Sequence, residues 1–466
     1  MTGPAPSWQR HRALAVALVA YLVAAVGLVV ATLDLPAAGA WTSAAALSPW
    51  LIAHVAAVVA LSTLAWIGWR VGVPRGRMVI GLILLVGLGL RLALALGGPP
   101  ALSDDLYRYV HDGATVAEGS SPWRVAPAEI DPTTLDPERA EVLEGINHPE
   151  LVSVYQPTSL LVFAGLWQIH PSAWDPGGII TFRIGWSLVD LGLVALLMFA
   201  LARAGRSPAW AALYAWHPLV LAEVAHSGHQ EPLGLLLLVA GLVLAVGRPC
   251  RSWIGAGAAL AAAGAVKPIA WPVAIAVAMG DKGTSTERWR RWLAALVAGL
   301  VAGGLLYGGI MLLGSGTGLG RLPMTLQRFV EHWAFNAPLM EWATEWLGRR
   351  PARAVAGATA LLVLLGVAAW RRDPWVAALA WLTTAALVSS TVHPWYLLWP
   401  LALVPMRFSL TVWLWAAVVP LVYLALDPAA AWEVPGWVLG LEYGLVALGL
   451  IGDGWRACSG ETRPKD

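Results

Sequence analysis

Apolar runs long enough to cross a bilayer recur along nearly the whole chain, with short arginine clusters between them. A helix crossing the hydrocarbon core needs about 20 such residues. In lipid, backbone polar groups must be satisfied within the segment itself, so helices rather than open sheets are expected. Candidate spans fall at 13–33, 47–69, 78–97, 181–202, 209–224, 232–246, 253–266, 268–279, 292–313, 352–370, 375–390, 394–404, 408–426 and 437–451. The expected fold is all-α: a polytopic integral membrane protein of about 12–14 transmembrane helices. Charged residues make up only 12% of the 466 positions, about half the share in a soluble domain.

The basic clusters orient the spans, because cytoplasmic loops carry excess Lys and Arg. Arg10/Arg12, Arg70/Arg75/Arg77, Arg203/Arg206, Arg248/Arg251, Lys282/Arg288/Arg290/Arg291 and Arg371/Arg372 all read as cytoplasmic, as do both termini. Arg349/Arg350/Arg353 strain this rule, since the span that follows them has arginines at both ends. The first span is too long for a cleaved leader and lacks a small-residue cleavage site, so it reads as a retained anchor. Parity then sets two further expectations. Residues 253–279 lie between basic clusters and should form two short helices turning at Lys267-Pro268, because proline breaks the helix there. Residues 156–170 should form a partial or re-entrant helix, since a full span would strand Arg203 and Arg206 outside.

A long loop at about 98–155 follows the third span and falls on the outer side. Residues 101–155 hold eleven acids against three arginines. The pair Asp104-Asp105 opens this loop. A positioned carboxylate is the usual group for deprotonating a sugar hydroxyl as it attacks an anomeric carbon. The bland reading is that the two acids start a short helix, where negative charge is stabilising. On this topology Asp104, Asp105, His148, Tyr155, Gln156, His226, His229, Lys267, His332 and His393 all reach one face, which favours a shared site.

Motifs recur in a set order. Asp105-Leu-Tyr-Arg-Tyr-Val-His-Asp-Gly113 leads to Glu118-Gly-Ser-Ser-Pro-Trp123. Asn147-His-Pro149 precedes Tyr155-Gln-Pro157. Next come Trp216-His-Pro218 with Glu223 and Ser227-Gly-His229, then Val266-Lys-Pro268 and His393-Pro-Trp-Tyr396. This series, from about Arg91 to Leu403, resembles bacterial GT-C membrane glycosyltransferases, and among them those similar to the polyprenyl-phosphate-mannose-dependent mannosyltransferases. The resemblance implies a GT-C-like arrangement forming a single multi-pass domain over residues 1–466. It aligns Asp105 with the catalytic base. The chain departs from the pattern at His111, His217 and Gln230-Glu231, where Trp, Asn and Asn-Asp are expected. These departures bear on the acceptor more than on the reaction class.

Other candidate substrate-binding residues each have a structural alternative. Lys267 is one of three lysines in the chain and could hold a lipid phosphate, or simply snorkel at a helix turn. Arg91 could serve the same phosphate or orient the carboxylates. Arg183 and Asp190, seven apart on one helix face, read as an internal ion pair. Glu223, His226 and His229 could hydrogen-bond sugar or phosphate; a metal site is not expected, because only one Glu-x-x-His unit exists and Gly228 and Pro232 weaken its helix. Arg328, His332 and Asn336 recur every four residues and could share a helix face, or lie on an interfacial amphipathic helix. Trp395 could stack on a sugar face, with His393 and Tyr396 beside it, or belong to an interfacial aromatic belt. Tyr107 and Arg108 complete the set from the outer loop.

The expected activity is inverting transfer of a hexose, most simply mannose, from a polyprenyl-phosphate donor to a lipid- or glycan-linked acceptor at the outer membrane face. No cofactor is expected. The partners are the donor, the glycolipid or glycan acceptor and membrane lipids. With a net charge of +2 and no basic run, nucleic acid is not among them. Cys250 and Cys458 are the only cysteines, too few for a disulfide framework. Two other functions fit the same composition: a transporter or flippase for lipid-linked sugars, suggested by broken helices and intramembrane charge, and a non-catalytic lipid-glycan binding subunit.

Overall fold

Helices account for every regular element in the computed structural model, which describes residues 7–37, 40, 43–73, 76–170, 176–246, 249–314 and 318–459. Among those residues the one β feature is an isolated bridge between Phe335 and Thr391. Arg75, Arg248 and the tail from residue 460, used above to orient the spans, lie outside the described residues.

The first three spans form as helices α1 (Ser7–Leu33), α2 (Ser48–Val71) and α3 (Arg77–Ala95). The acidic loop then folds into α4 (Asp105–Ala117) and α5 (Pro137–Glu144). It is held against the distant residue Arg321, whose guanidinium donates to Glu129 at 2.7 Å and to the Arg124 carbonyl. Helix α6 (Pro157–Ile169) has 13 residues, which at 1.5 Å per residue gives about 20 Å, well short of a bilayer core. Helix α7 (Pro176–Arg203) is a full-length apolar helix.

The next stretch departs from expectation. No single helix covers 209–224: the chain turns at Pro208–Ala211 and leaves helical geometry at Trp216-His217 before Pro218. Proline at that point cannot donate to the preceding turn. Helix α8 (Pro218–His226) is followed, after a four-residue break, by α9 (Glu231–Ala245), and the two axes differ by 118°. Residues Leu221–His226 wind as a wide π-turn, a form concentrated at functional sites.

Helix α10 (Cys250–Gly264) and α11 (Val273–Gly280) are parted at Lys267-Pro268, as their sequence implies. Lys267 is extended, with φ −145°. There follow α12 (Ser285–Met311), α13 (Leu322–His332), α14 (Pro338–Leu347), α15 (Arg349–Arg371), α16 (Pro374–Leu387), α17 (Leu410–Val418) and α18 (Gly436–Ser459). Residues 394–404 are not a span either, since Pro394 and Pro400 confine them to a tight turn and one short helical turn. Among the described residues seven helices are long and apolar enough to cross a membrane, or eight if the bent pair counts as one, with four shorter apolar helices beside them. The protein is thus a multi-pass helical membrane protein with fewer full-length crossings than apolar runs, because several of those runs are broken by proline.

Candidate active site

Helix α4 carries the two acids, and aromatic packing fixes its place. Tyr109 stacks on Phe163 of α6 with centroids 4.6 Å apart, and meets Tyr155 and Trp186 edge-on at 4.9 Å and 6.4 Å. Gly113 permits this closeness, since a Cβ there would lie 2.6 Å from the Phe163 carbonyl oxygen. Arg108 reaches back into the loop and donates to the carbonyls of Leu151 at 3.1 Å and His148 at 3.0 Å. Buried Asp112 accepts from Ser153 Oγ at 2.5 Å. Tyr107 packs on the Gly145 backbone. Loop residues 145–153 are therefore tied to α4 along its length.

The capping reading of Asp104-Asp105 is met in part. The helix starts at Asp105, but the Asp104 carboxylate caps no backbone N–H and instead accepts from Asn147 Nδ2. Burial, and then the neighbouring Asp105 charge, pushes the Asp104 carboxyl up to about 6. Asp105 points the other way, towards the break between α8 and α9. Its Oδ2 lies 3.8 Å from Nδ1 of His229, within ion-pair range and beyond a hydrogen bond. Nε2 of His229 is 3.3 Å from Oε2 of Glu223, whose Oε1 accepts from the Tyr423 hydroxyl at 2.7 Å. One imidazole thus sits between two carboxylates. Glu223 pairs with His229, not with His226 three residues on, because the π-turn and the break fold residue 229 back over residue 223. Gly228 makes that return possible: its φ is +74°, and a Cβ would lie 2.7 Å from Leu106 of α4. The Asp105 side chain is 22% exposed, against 0% for His229 and Glu223, so it is the one member of this relay open to the surface.

Beside the relay, Lys267 Nζ is 3.2 Å from Oε1 of Glu231 and lies 3.6 Å from the centre of the Tyr396 ring. Asp105 acts electrostatically on both Lys267 and Tyr396, so the two groups share one field. An aromatic column closes this side. His229 stacks on Trp395 at 4.1 Å, Trp395 on His393 at 4.3 Å, and His393 on Phe335 at 4.9 Å. Both faces of the Trp395 indole are covered, which corrects the expectation that it stacks on a sugar.

Several other candidates lie elsewhere. Arg91 is fully buried and directed at Asp190, with NH2–Oδ2 at 2.5 Å and further donation to the Gly87 and Ala215 carbonyls. It is an internal structural cation, and Asp190 pairs with it rather than with Arg183, which donates to the carbonyls of Gly97 and Gly98. Tyr155 belongs to the Tyr109–Phe163 core, and Gln156 accepts from the Tyr307 hydroxyl at 2.7 Å. His226 is buried away from the relay, near Leu94 and Arg183. Arg328, His332 and Asn336 do not share a helix face, because α13 ends at His332 and Asn336 turns back with φ +51°. Arg328 and His332 instead line a shallow groove with Glu150, Leu151 and Trp333. It adjoins His148, whose ring meets Trp333 at 4.6 Å. Glu231, Tyr423 and Phe335 join the candidate site although the sequence does not single them out as site residues. Glu231 stands out in it only as a departure from a motif, and nothing local marks the other two.

Residues 11–280, more than half of the chain, match the family model described as alpha-(1->6)-mannopyranosyltransferase, N-terminal domain. The chain belongs to that mannosyltransferase family. The matched segment holds Asp104, Asp105, Glu223, His229, Glu231 and Lys267, while the aromatic column enters mainly from beyond it. No curated protein and no solved structure matches the chain. Among the described residues of this mannosyltransferase, no three His, Cys, Asp or Glu side chains are grouped to hold a metal ion.

Proposed function

We propose that the protein transfers mannose from a polyprenyl phosphate to the 6-hydroxyl of a mannose-containing glycan or glycolipid at the outer membrane face. The observation that carries this reading is Asp105, a partly exposed carboxylate at the start of α4, held against buried His229 and Glu223. Asp105 takes the proton of the acceptor hydroxyl as its oxygen attacks C1 of the donor sugar. The bond from C1 to the phosphate oxygen breaks, and the lipid phosphate leaves with the electron pair. His229, between two carboxylates, offers a second residence for that proton. Lys267 gives one N–H to Glu231, and its 27% exposure leaves it able to offset charge on the departing phosphate. Attack opposite the leaving group inverts C1, so an alpha product requires a beta-linked donor.

The 118° break between α8 and α9 is the feature that would suit a transporter of lipid-linked sugar. Membership of a mannosyltransferase family favours bond transfer instead. The full chain in lipid vesicles, given polyprenyl-phosphate-[¹⁴C]mannose and a mannose-terminated oligosaccharide, should label the oligosaccharide. Equal labelling from nucleotide-linked mannose would overturn the donor assignment, and passage of intact donor across the bilayer without labelling would indicate transport.

A further inference from the structure

The last helix carries a carboxylate with no evident use. Glu442 of α18 is fully buried, and among the described residues no basic side chain pairs with it. Its Oε1 accepts from Asn336 Nδ2 at 2.9 Å and from Trp415 Nε1 at 2.6 Å. The adjacent Tyr443 hydroxyl donates to the Asn336 carbonyl at 2.6 Å. An ionisable group inside a membrane span is expensive and marks function by default. Together with Tyr443 it grips a single residue of a distant loop, Asn336, from two sides.

What that loop holds gives the grip its meaning. Asn336 is in the left-handed region, φ +51°, and Phe335 beside it is zipped to the strand-like segment 390–392. Phe335 N donates to the Ser390 carbonyl at 3.1 Å, and Val392 N to the Phe335 carbonyl at 2.9 Å. Asn336 Nδ2 also reaches the Val392 carbonyl at 3.3 Å. This clamped pair of segments supplies Phe335 and His393, the far half of the aromatic column. The near end of the column is His229, 3.8 Å from Asp105. Contacts between flat rings at these distances transmit position, since packed interiors have little slack.

We infer that Glu442, through Asn336, is a positioning residue for the reaction: it fixes the column Phe335–His393–Trp395–His229 and thereby the imidazole that faces Asp105. The inference rests on the reading of Asp105 as the base, and it extends the working site to a helix beyond the segment that the family model matches. Glu442 touches no reacting atom.

The experiment compares Glu442→Leu, Glu442→Gln and Asn336→Gly in the full chain. Glycine tolerates the φ of residue 336 and removes only the side chain. Glu442→Leu should lower kcat by about tenfold to a hundredfold, the effect of a sub-ångström to 1 Å misplacement, with donor KM little changed. Glu442→Gln keeps an acceptor oxygen and should restore most of the rate. Asn336→Gly should match the leucine variant, and the double variant should be no worse than either single, since both cut one link. Thermal midpoints are measured alongside. The leucine variant deprives the buried Asn336 Nδ2 and Trp415 Nε1 donors of this acceptor. Its midpoint should therefore fall modestly, since an unmet buried donor costs stability, and rates are compared per folded protein. Full kcat in Glu442→Leu overturns the inference, and so does a loss that only follows a loss of folded protein. A second readout needs no turnover. In a chain with Cys250 and Cys458 replaced by serine, a cysteine introduced by Asp105→Cys should react with a water-soluble maleimide at a rate that Glu442→Leu shifts by at least about threefold, as expected if the local geometry has moved. If the wild-type chain transfers no mannose, the functional reading fails, and this labelling rate alone decides the role of Glu442: an unchanged rate overturns it.

Discussion

His229 and Trp395 lie face to face, with ring centroids 4.1 Å apart. The opposite face of the indole is closed by His393 at 4.3 Å. The tryptophan in the His-Pro-Trp-Tyr motif therefore supports the imidazole and has no free face for a sugar.

Trp395→Ala should lower kcat by about tenfold while acceptor KM changes little, because it removes support from His229 and no contact from the sugar. Trp395→Phe, which keeps a stacking ring, should recover much of the loss. Steady-state kinetics with varied acceptor checks this. An unchanged kcat with raised acceptor KM would restore the sugar-platform reading.

The two adjacent acids should behave differently. Asp105→Asn removes the proton acceptor at constant size and should cost about two to four orders of magnitude in rate. Asp104→Asn should cost far less, since Asp104 faces Asn147 while Asp105 faces His229. Single-turnover rates for both variants test the assignment, which fails if Asp104→Asn proves the more damaging.

Lys267→Met keeps the apolar stem and deletes the charge. It should raise the donor's apparent KM by about tenfold, the loss of one charged contact, with a smaller change in kcat. Glu231 would then lack its cation, so Lys267→Met/Glu231→Gln is the paired control. An unaltered donor affinity in both would leave Lys267 as a structural partner of Glu231 alone.

Stability should carry a pH signature from Asp112. Burial pushes its carboxyl from 3.8 to about 6, so the folded state holds its proton more tightly than the unfolded state. That contribution is full below the unfolded value and is lost as pH rises through the folded one, amounting to on the order of 3 kcal/mol. Buried His111, lowered to about 3 by desolvation and by Arg108, runs the opposite way. The diagnostic is therefore the difference between wild type and Asp112→Asn. Relative to wild type, the variant's thermal midpoint should rise as pH goes from about 4 to about 6 and then level off. A difference independent of pH would contradict the raised carboxyl.

Sidedness can be read with thiols. Cys250 and Cys458 are exposed at the protein surface and should react with an impermeant maleimide only after cells are opened, as the arginine distribution implies. Glu138→Cys, on an exposed part of the acidic loop, should label in sealed cells. Labelling of Cys250 from outside would reverse the proposed orientation.

The helical class was legible because span length and arginine placement are dictated by the bilayer, and Lys267-Pro268 marked a break through a local rule that needs no tertiary information. Crossing number was less legible: 209–224 and 394–404 are apolar enough to span, and only the packing around Pro218 and Pro394 decides that they turn instead. Within the site, Asp105, His229 and Lys267 were visible as polar residues in apolar surroundings. Arg91 was equally visible and proved internal, since its partner Asp190 sits on another helix. Tyr423 and Phe335 could not be singled out, because each is an ordinary aromatic residue until the fold brings it to Glu223 or His393.

The distance between Asp105 and the His229 imidazole depends on a methyl group that is not there. With no side chain at Gly228, Leu106 of the acid-bearing helix seats directly on the backbone of the broken one. Two residues far apart in the chain thus form one steric unit, and neither can drift alone. A homologue bearing alanine at the equivalent of 228 should carry something smaller than leucine at the equivalent of 106. Where both have changed together, the acid and the imidazole can keep their spacing although no residue of the relay itself reveals why.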